Sequence, residues 1–224
     1  MLPRALKQFF YDTTWPLMRL NGVIYRNFRA SGAVKKNSPL RLHLGPGQKA
    51  YLQNWINIDA NMFTAKCDIW LDLRDRLPLS DGSVDPIYSH HVVEHLPDVE
   101  GHFHESFRVL KPGGVYGVAG PNGDIATAKF VENDCGWFGD WPDKYNSIGG
   151  RFANFIFCRN EHLTILTESF LTELAQRVGF GEVKRLLQVK ETGYPALFND
   201  CLENEHERNF DAPHTLVLEL QKPA

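Results

Sequence analysis

Short runs of apolar residues, each about as long as a β-strand, recur through the first half of the chain. They lie at Leu40–Leu44, Trp55–Ile58, Asp68–Leu71, Ile87–Ser89 and Val115–Ala119. Between the last two runs, residues 93–110 follow the spacing of a helix, and the sequence KPGG is typical of a helix stop. Strands that alternate with helices or short connections indicate an α/β fold with a mostly parallel sheet.

The second half of the chain completes this sheet. Residues 167–178 predict a helix that ends at Gly179. Two later apolar runs, Val183–Val189 and Leu216–Leu220, predict an antiparallel pair of strands at one edge. A mostly parallel sheet tolerates such a pair at its edge.

A helical arm is predicted ahead of the main domain. Residues 3–30 predict one or two helices, which Pro16 breaks or kinks, and residues 31–39 have the composition of a linker. We therefore expect an arm and linker over residues 1–38 and the main domain over residues 39–224.

The alternating pattern is lost over residues 121–166, a segment rich in Gly, Asn, Asp and aromatic residues. A long segment of this kind inside a compact domain is usually a lid or a binding loop. The sequence therefore predicts a substrate lid here. A locally packed subdomain without a functional role is the alternative.

The charges are unevenly distributed. The formal net charge of −3 does not favour nucleic acid as a partner. Residues 1–36, however, contain seven Lys or Arg and a single acidic residue, Asp12. With their bulky apolar neighbours, these charges predict a peripheral contact with an anionic membrane. A helix that packs on the main domain or forms a dimer contact is an equally good interpretation, and the oligomeric state is left open.

The cysteines are far apart and form no Cys-x-x-Cys pair. They are Cys67, Cys135, Cys158 and Cys201. Neither a disulfide framework nor a zinc ribbon is expected, so the cytoplasm is the predicted location. No apolar run reaches the length of about 18 residues that a membrane span needs, and no signal peptide is predicted.

A glycine turn after the first predicted strand is the first indication of a ligand site. Leu44, Gly45 and Gly47 follow an apolar run, and glycines let the bare backbone approach a ligand. The second strand ends at Asp59, an acid placed to accept hydrogen bonds from two ribose hydroxyls. Because Asp59 follows Gly47 by only 12 residues, the connection must be a loop or a very short helix.

Further motifs follow in a recognisable order. They are LGPG at 44–47, NID at 57–59, DLxxxLPxSDGSVD at 72–85, HHVVEHL at 90–96 and FRVLKPGG at 107–114. Over residues 40–122 the chain resembles the class I S-adenosylmethionine-dependent methyltransferases, in particular the group that includes enzymes acting on quinone precursors. The resemblance implies a Rossmann-like sheet of seven strands whose last strand is antiparallel. It also implies S-adenosylmethionine as cofactor and methyl transfer (EC 2.1.1 type) to a small molecule, such as a sugar, a quinone or a lipid-linked precursor.

The resemblance also implies a set of site residues. The glycines face the methionine part of the cofactor, Asp59 contacts the ribose, and Asp72 with Leu73 contacts the adenine. The complete cofactor set is His43, Leu44, Gly45, Gly47, Asp59, Asp72, Leu73 and His90. His43 is a departure, because many relatives carry an acid two residues before the first glycine.

Histidines are the candidate catalytic residues. A hydroxyl acceptor must lose a proton, and histidine suits that task near neutral pH. His91 is the first candidate, His90 is the second, and His95 and His162 are weaker ones. An amine, thiol or carboxylate acceptor needs no base.

The same segment contains a metal-binding pattern. His91-x-x-Glu94-His95 matches one group of zinc peptidases, in which histidines four residues apart share a helix face. Because the pattern directly follows a strand and lies among methyltransferase-like motifs, no metal is predicted. Alternatively, Glu94 and His95 only organise the start of a helix.

Two other functional classes stay open. One is a methyltransferase-like domain that binds ligand without turnover, an alternative that the departure at His43 keeps open. The other is a dinucleotide-dependent oxidoreductase. That class usually has its acid about 20 residues after the glycines and carries a third glycine, and this chain has neither feature.

Overall fold

The strands form one sheet. A computed structural model describes residues 4–28, 39–61, 65–203, 205–207 and 209–224, so most of the predicted linker lies outside the described residues. The strands are β1 Leu42–Leu44, β2 Ile56–Asp59, β3 Ile69–Trp70, β4 Val84–His90, β5 Leu110–Pro121, β6 Glu182–Leu186 and β7 Thr215–Gln221. Their order in the sheet is β3-β2-β1-β4-β5-β7-β6.

The sheet is parallel except for β7, which runs antiparallel to both β5 and β6. The predicted antiparallel pair at one edge is therefore confirmed. Leu44 at the end of β1 lies opposite Ile58 of β2 and Ser89 of β4. The carboxyl ends of these three strands therefore meet at one edge of the sheet, where ligands bind in open α/β folds.

The helices are α1 Arg4–Phe28, α2 Val99–Val109, α3 Gly123–Val131, α4 Ile148–Phe157, α5 Glu168–Val178 and α6 Pro195–Leu202, with a 3₁₀ turn at Val93–His95. Helices α2 to α5 are each capped by a side chain at the start. Asp98 caps α2 and Thr167 caps α5, each by accepting from a backbone N–H. Gly179 closes α5 in a left-handed conformation, as predicted. None of the described helices is both long enough and apolar enough to span a bilayer.

The predicted helix over residues 93–110 is wrong at its start. Only a 3₁₀ turn forms at Val93–His95, and α2 begins at Val99. Pro97 disfavours a helical conformation at Leu96, which is extended, so the chain must restart the helix at the Asp98 cap. The KPGG sequence does not follow the helix as a loop but lies inside the long strand β5.

The predicted break at Pro16 is also wrong, because α1 is a single helix. Pro16 and Asp12, four residues before it, are both exposed, so water can satisfy the carbonyl that proline leaves without an N–H donor. The opposite side of α1 buries Met18 and Gly22, and a Cβ at Gly22 would lie 2.8 Å from Leu71 Cδ1. The arm thus packs on the main domain beside β3.

The segment 121–166 is more ordered than its composition indicates. It contains α3 and α4, which pack against each other around Ala126, Trp137, Phe138 and Ile156. Trp137 also stacks on His214, with ring centroids 4.3 Å apart. Several of the aromatic side chains therefore form a local core, as the alternative of a locally packed subdomain predicts.

Candidate functional site

The glycine turn lies at the carboxyl end of β1 and has a backbone that favours glycine. Gly45 and Gly47 have φ values of 67° and 57°. The Gly45 N–H donates to Ile58 O at 2.8 Å, and a Cβ at Gly45 would lie 2.5 Å from Val92 Cγ2. Around Gly47, by contrast, no described atom lies within 4 Å of such a Cβ. The turn is thus packed on one side and open on the other, which provides the cradle that a ligand needs.

Asp59 ties this turn to the end of β2. Its Oδ2 accepts from Gly47 N at 3.0 Å, and its Oδ1 accepts from Asn61 N at 2.7 Å. Burial raises the pKa of the Asp59 carboxyl, and the backbone donors oppose part of that effect. The connection from β1 to β2 contains no helix, so the prediction of a loop or a very short helix there is confirmed.

Asp72 already has a strong partner in Arg74. The guanidinium Nε and Nη2 atoms of Arg74 donate to both Asp72 carboxylate oxygens at 2.7–3.0 Å, and Arg74 N donates to Oδ1. Leu73 packs against the main core. An adenine that contacts Asp72 must therefore share the Asp72 carboxylate with Arg74. The roles of Asp72 and Leu73 remain predictions.

His43 lies inside the protein, directly behind the turn. It is 2 % exposed, its Nδ1 hydrogen-bonds to Asn57 Oδ1 at 2.9 Å, and its ring stacks on Tyr88. Burial lowers its pKa to about 4, despite the opposing Asn57 hydrogen bond and Glu205 charge, and nearby His90 adds to the lowering. Leu44 is fully buried, so it can face a ligand only through its backbone. Direct cofactor contacts by either residue remain predictions.

A second buried histidine lies under the same edge. His102 Nε2 hydrogen-bonds to Tyr116 Oη at 3.1 Å, and Tyr116 Oη lies 2.8 Å from Ser89 Oγ. Burial lowers the pKa of His102 to about 4, although a hydrogen bond to the Leu73 backbone and the charge of Asp98 oppose the shift.

These two histidines predict a loss of stability in acid. In the unfolded chain each recovers a pKa of about 6.5, so the unfolded state binds more protons than the folded state below that pH. The stabilisation is therefore present above about pH 6.5 and lost as the pH falls towards 4. Between about pH 7.5 and pH 5, we expect each histidine to cost about 2 kcal/mol of unfolding free energy. Urea titrations of the wild type and of His102→Gln test this, and equal pH slopes in both would contradict it.

His90 ends β4 and pairs with a carboxylate that the sequence analysis missed. Its Nδ1 contacts Glu205 Oε2, and the Tyr88 hydroxyl donates to Glu205 Oε1 at 2.6 Å. Burial alone would raise the pKa of Glu205, but the partners His90 and Tyr88 hold it below its ordinary value. His90 Nε2 is buried without a hydrogen-bond partner among the described residues. The pair therefore presents an uncommitted ring nitrogen.

His91 forms a second histidine–carboxylate pair. Its Nδ1 lies 3.1 Å from Oε1 of the fully buried Glu94, its side chain is 47 % exposed, and its ring stacks on His90. His91 has a φ of 55° and precedes the 3₁₀ turn, so it does not share a helix face with His95. The helical geometry of the zinc-peptidase pattern is therefore absent.

His95 and His162 meet on the outer side of Glu94. Their ring centroids lie 4.9 Å apart, and Leu163 N donates to Glu94 O at 2.7 Å. The last residues of the segment 121–166 are thus attached to the edge that carries His90 and His91.

The arm also reaches this edge. Burial raises the pKa of Tyr11 on α1, and the negative charges of Asp59, Asp72 and Glu161 raise it further. Tyr11 therefore lies near the carboxylates of Asp59 and Asp72. The sequence of the arm gave no indication of this position of Tyr11, because an apolar pattern does not specify where a helix packs.

Comparisons with known proteins relate part of this chain to methyltransferases. Residues 44–118 match a family model described as a methyltransferase domain. A sterol 24-C-methyltransferase of Aspergillus fumigatus is 49 % identical over 43 residues, which are 19 % of this chain and 11 % of that protein. A probable S-adenosylmethionine-dependent methyltransferase of Mycolicibacterium smegmatis is 52 % identical over 46 residues, 20 % of this chain and 18 % of that protein. The chain thus covers less than a fifth of the length of either relative.

The fold likeness extends further than the sequence likeness. The crystal structure of an S-adenosylmethionine-dependent methyltransferase from Mesorhizobium loti has a TM-score of 0.50 and 16 % identity, with 88 % of this chain and all of that chain covered. The seven-stranded sheet with one antiparallel strand is the Rossmann-like fold of the class I methyltransferases, as predicted. The match over residues 44–118 and the likeness in fold both relate this chain to the S-adenosylmethionine-dependent methyltransferases.

Proposed function

We propose that this protein transfers a methyl group from S-adenosylmethionine to a small-molecule acceptor. The observation that carries the proposal is the convergence of a glycine turn, the Asp59 carboxylate and two histidine–carboxylate pairs at one edge of the sheet. When bound, the cofactor supplies an electrophilic methyl group on a sulfonium. The remaining task of the protein is to align the acceptor and to take its proton.

The residues at this edge of the sheet can each be assigned to a part of the cofactor. The backbone of Leu44, Gly45 and Gly47 borders the methionine part, and Asp59 accepts from the ribose hydroxyls. The Asp59 carboxylate can do so because each of its oxygens has further acceptor capacity beyond the backbone donor that it holds. Asp72 and Leu73 border the adenine, while His43 supports the turn from behind.

His90 is the better base of the two histidines. Glu205 accepts from Nδ1, which fixes the tautomer and leaves the Nε2 lone pair for a substrate proton. His91 is more exposed and shares Glu94 with neighbouring groups, so it suits orientation of the acceptor. This assignment favours a hydroxyl acceptor, because an amine, thiol or carboxylate needs no such base.

Calorimetry with S-adenosylhomocysteine is the primary test. Tight binding, together with S-adenosylhomocysteine formation in a panel of quinol, sterol and sugar acceptors, supports the proposal. Binding without turnover on any acceptor favours the non-catalytic alternative. NADH affinity with no S-adenosylhomocysteine affinity would favour an oxidoreductase.

We also propose that the segment 121–166 forms the acceptor-side wall of the site. Its attachment to Glu94 through Leu163 N and its internal aromatic core support a rigid wall. The cysteines lie far apart in the sequence and form no Cys-x-x-Cys pair, which supports the cytoplasm as the location.

The arm is proposed as a peripheral membrane contact. An exposed stripe along α1 carries apolar side chains at helical spacing: Leu6, Phe9, Leu17, Leu20 and Ile24. The basic residues of 1–36 favour an anionic surface. The sterol named for several relatives is itself a lipid, which supports an acceptor drawn from a membrane.

Charge on this stripe tests the membrane proposal. We expect Leu17→Glu to abolish flotation of the full chain with vesicles that contain anionic lipid, because the glutamate must enter the apolar interface. Leu187→Glu is the matched control, since Leu187 is at least as exposed as Leu17 but lies outside the arm. If the wild type does not float, or both variants float alike, the arm does not bind membranes.

A further inference from the structure

We infer that Glu94, His95 and His162 form a binding site for a divalent transition metal of the zinc type. One ligand atom from each of these residues lies within 4.8 Å of the other two. Two ring nitrogens and a carboxylate are the ligand set of many catalytic zinc sites. The site differs from the zinc-peptidase pattern, because His162 replaces His91 and comes from the segment after α4.

The tautomers of both histidines are set for metal binding. His95 Nδ1 lies 3.0 Å from Glu161 O, and His162 Nδ1 lies 2.9 Å from Ile156 O. A carbonyl oxygen only accepts, so each Nδ1 carries the proton and each neutral ring leaves Nε2 as a lone pair. Metal-bound histidines use the same arrangement, in which the far ring nitrogen donates to a backbone carbonyl.

The charge and the lone pairs of these three groups also favour a cation bound between them. The Nε2 of His95 lies 3.8 Å from Glu94 Oε1, and the Glu94 side chain is fully buried. The second oxygen of that carboxylate, Oε2, has no hydrogen-bond partner in the described part of the chain. Two lone pairs and a buried carboxylate that face one another repel, and a bound metal ion removes this repulsion.

The geometry leaves room for adjustment and for a further ligand. Zinc–ligand bonds of about 2.0–2.2 Å place neighbouring ligand atoms about 3.4 Å apart in a tetrahedron, so the three groups must close by about 1 Å. The His95 side chain is 40 % exposed, so its ring is free to make that movement. Three protein ligands leave a coordination position for water or an acceptor oxygen. The nitrogen donors favour zinc, cobalt or nickel over magnesium or calcium.

Titration of the metal-stripped, tag-free full chain with Co²⁺ tests the site. We expect one equivalent to bind with the visible absorption of a tetrahedral or five-coordinate ion, and Zn²⁺ to displace it. His162→Ala should weaken Co²⁺ binding by at least about 100-fold, because loss of a ligand costs more than loss of its second-shell partner. His104→Ala is the matched control, because His104 is an exposed histidine on α2 outside the cluster. It should bind Co²⁺ like the wild type.

A second variant of a metal ligand keeps the test conclusive if the first variant does not fold. If circular dichroism shows that His162→Ala is unfolded, His95→Ala serves instead, since its side chain is partly exposed and its loss leaves the core intact. No stoichiometric Co²⁺ spectrum in the wild type, or equal affinity in His95→Ala and His104→Ala, would overturn the inference. S-adenosylhomocysteine calorimetry of the same samples reports the proposed function separately, because the glycine turn contributes no metal ligand.

Discussion

Replacing Gly45 by valine is expected to abolish binding of S-adenosylhomocysteine, with a loss of affinity of at least about 100-fold. The backbone at Gly45 has a φ of 67°, which costs a β-branched residue about 1–3 kcal/mol. The new Cβ would also lie 2.5 Å from Val92 Cγ2, so the turn or Val92 must move. Either shift displaces the backbone that is proposed to border the cofactor.

Gly113 provides a matched control for this substitution. It has a φ of 76°, so valine meets the same backbone strain, but no described atom lies within 4 Å of its added Cβ. Gly113 also lies near the start of β5, at the opposite edge of the sheet from the site. Gly113→Val should lower the melting temperature without changing the affinity for S-adenosylhomocysteine. Undiminished binding in Gly45→Val would remove the turn from the cofactor site.

Asp59→Ala completes the same experiment with a milder expected effect. The substitution removes the proposed acceptor for the ribose and leaves Gly47 N and Asn61 N without the Asp59 carboxylate. Hydrogen bonds to a charged group contribute about 1.5–3 kcal/mol, so binding should weaken by about 10- to 100-fold. Full affinity in both Asp59→Ala and Gly45→Val would place the cofactor elsewhere.

Replacing His90 by glutamine is expected to lower the turnover number by about 100- to 10,000-fold on a hydroxyl acceptor, with unchanged affinity for S-adenosylhomocysteine. Glutamine keeps a donor towards Glu205, so the buried carboxylate retains a partner, but it cannot accept the acceptor's proton. Activity measured against pH distinguishes the base from a structural role. Loss of the base removes the acidic limb of the rate profile, whereas a merely structural residue leaves the profile in place.

Two further variants test whether the loss of turnover is specific to His90. Glu205→Gln weakens the support of the His90 tautomer, so we expect a smaller loss than for His90→Gln itself. His104→Gln, on the exposed face of α2, should keep full turnover. Wild-type turnover in His90→Gln would rule out His90 as the base and return that role to His91.

The sequence by itself determined the features that depend on near neighbours. The strands were visible because apolar runs bounded by turn residues are local signals. The Gly45–Gly47 turn and the acid at Asp59 were visible for a similar reason, since backbone freedom and a strand-end carboxylate are properties of single residues. Two predicted helix bounds were wrong because the local apolar pattern did not determine them. Helix α1 continues through Pro16, which is exposed, and helix α2 begins only after Pro97, at the Asp98 cap.

Only the tertiary structure decided which polar groups meet. Glu205 lies 117 residues from Tyr88, with which it shares a hydrogen bond, and no periodic pattern connects it to β4. His162 reaches His95 only because α3 and α4 fold on each other and return the chain to Glu94. The reason is physical: periodicity reports which face of an element is apolar, whereas side-chain partners depend on how distant elements pack. The glycine turn proposed to bind the cofactor can therefore be read from the sequence, whereas the proposed base and the proposed metal site depend on the fold.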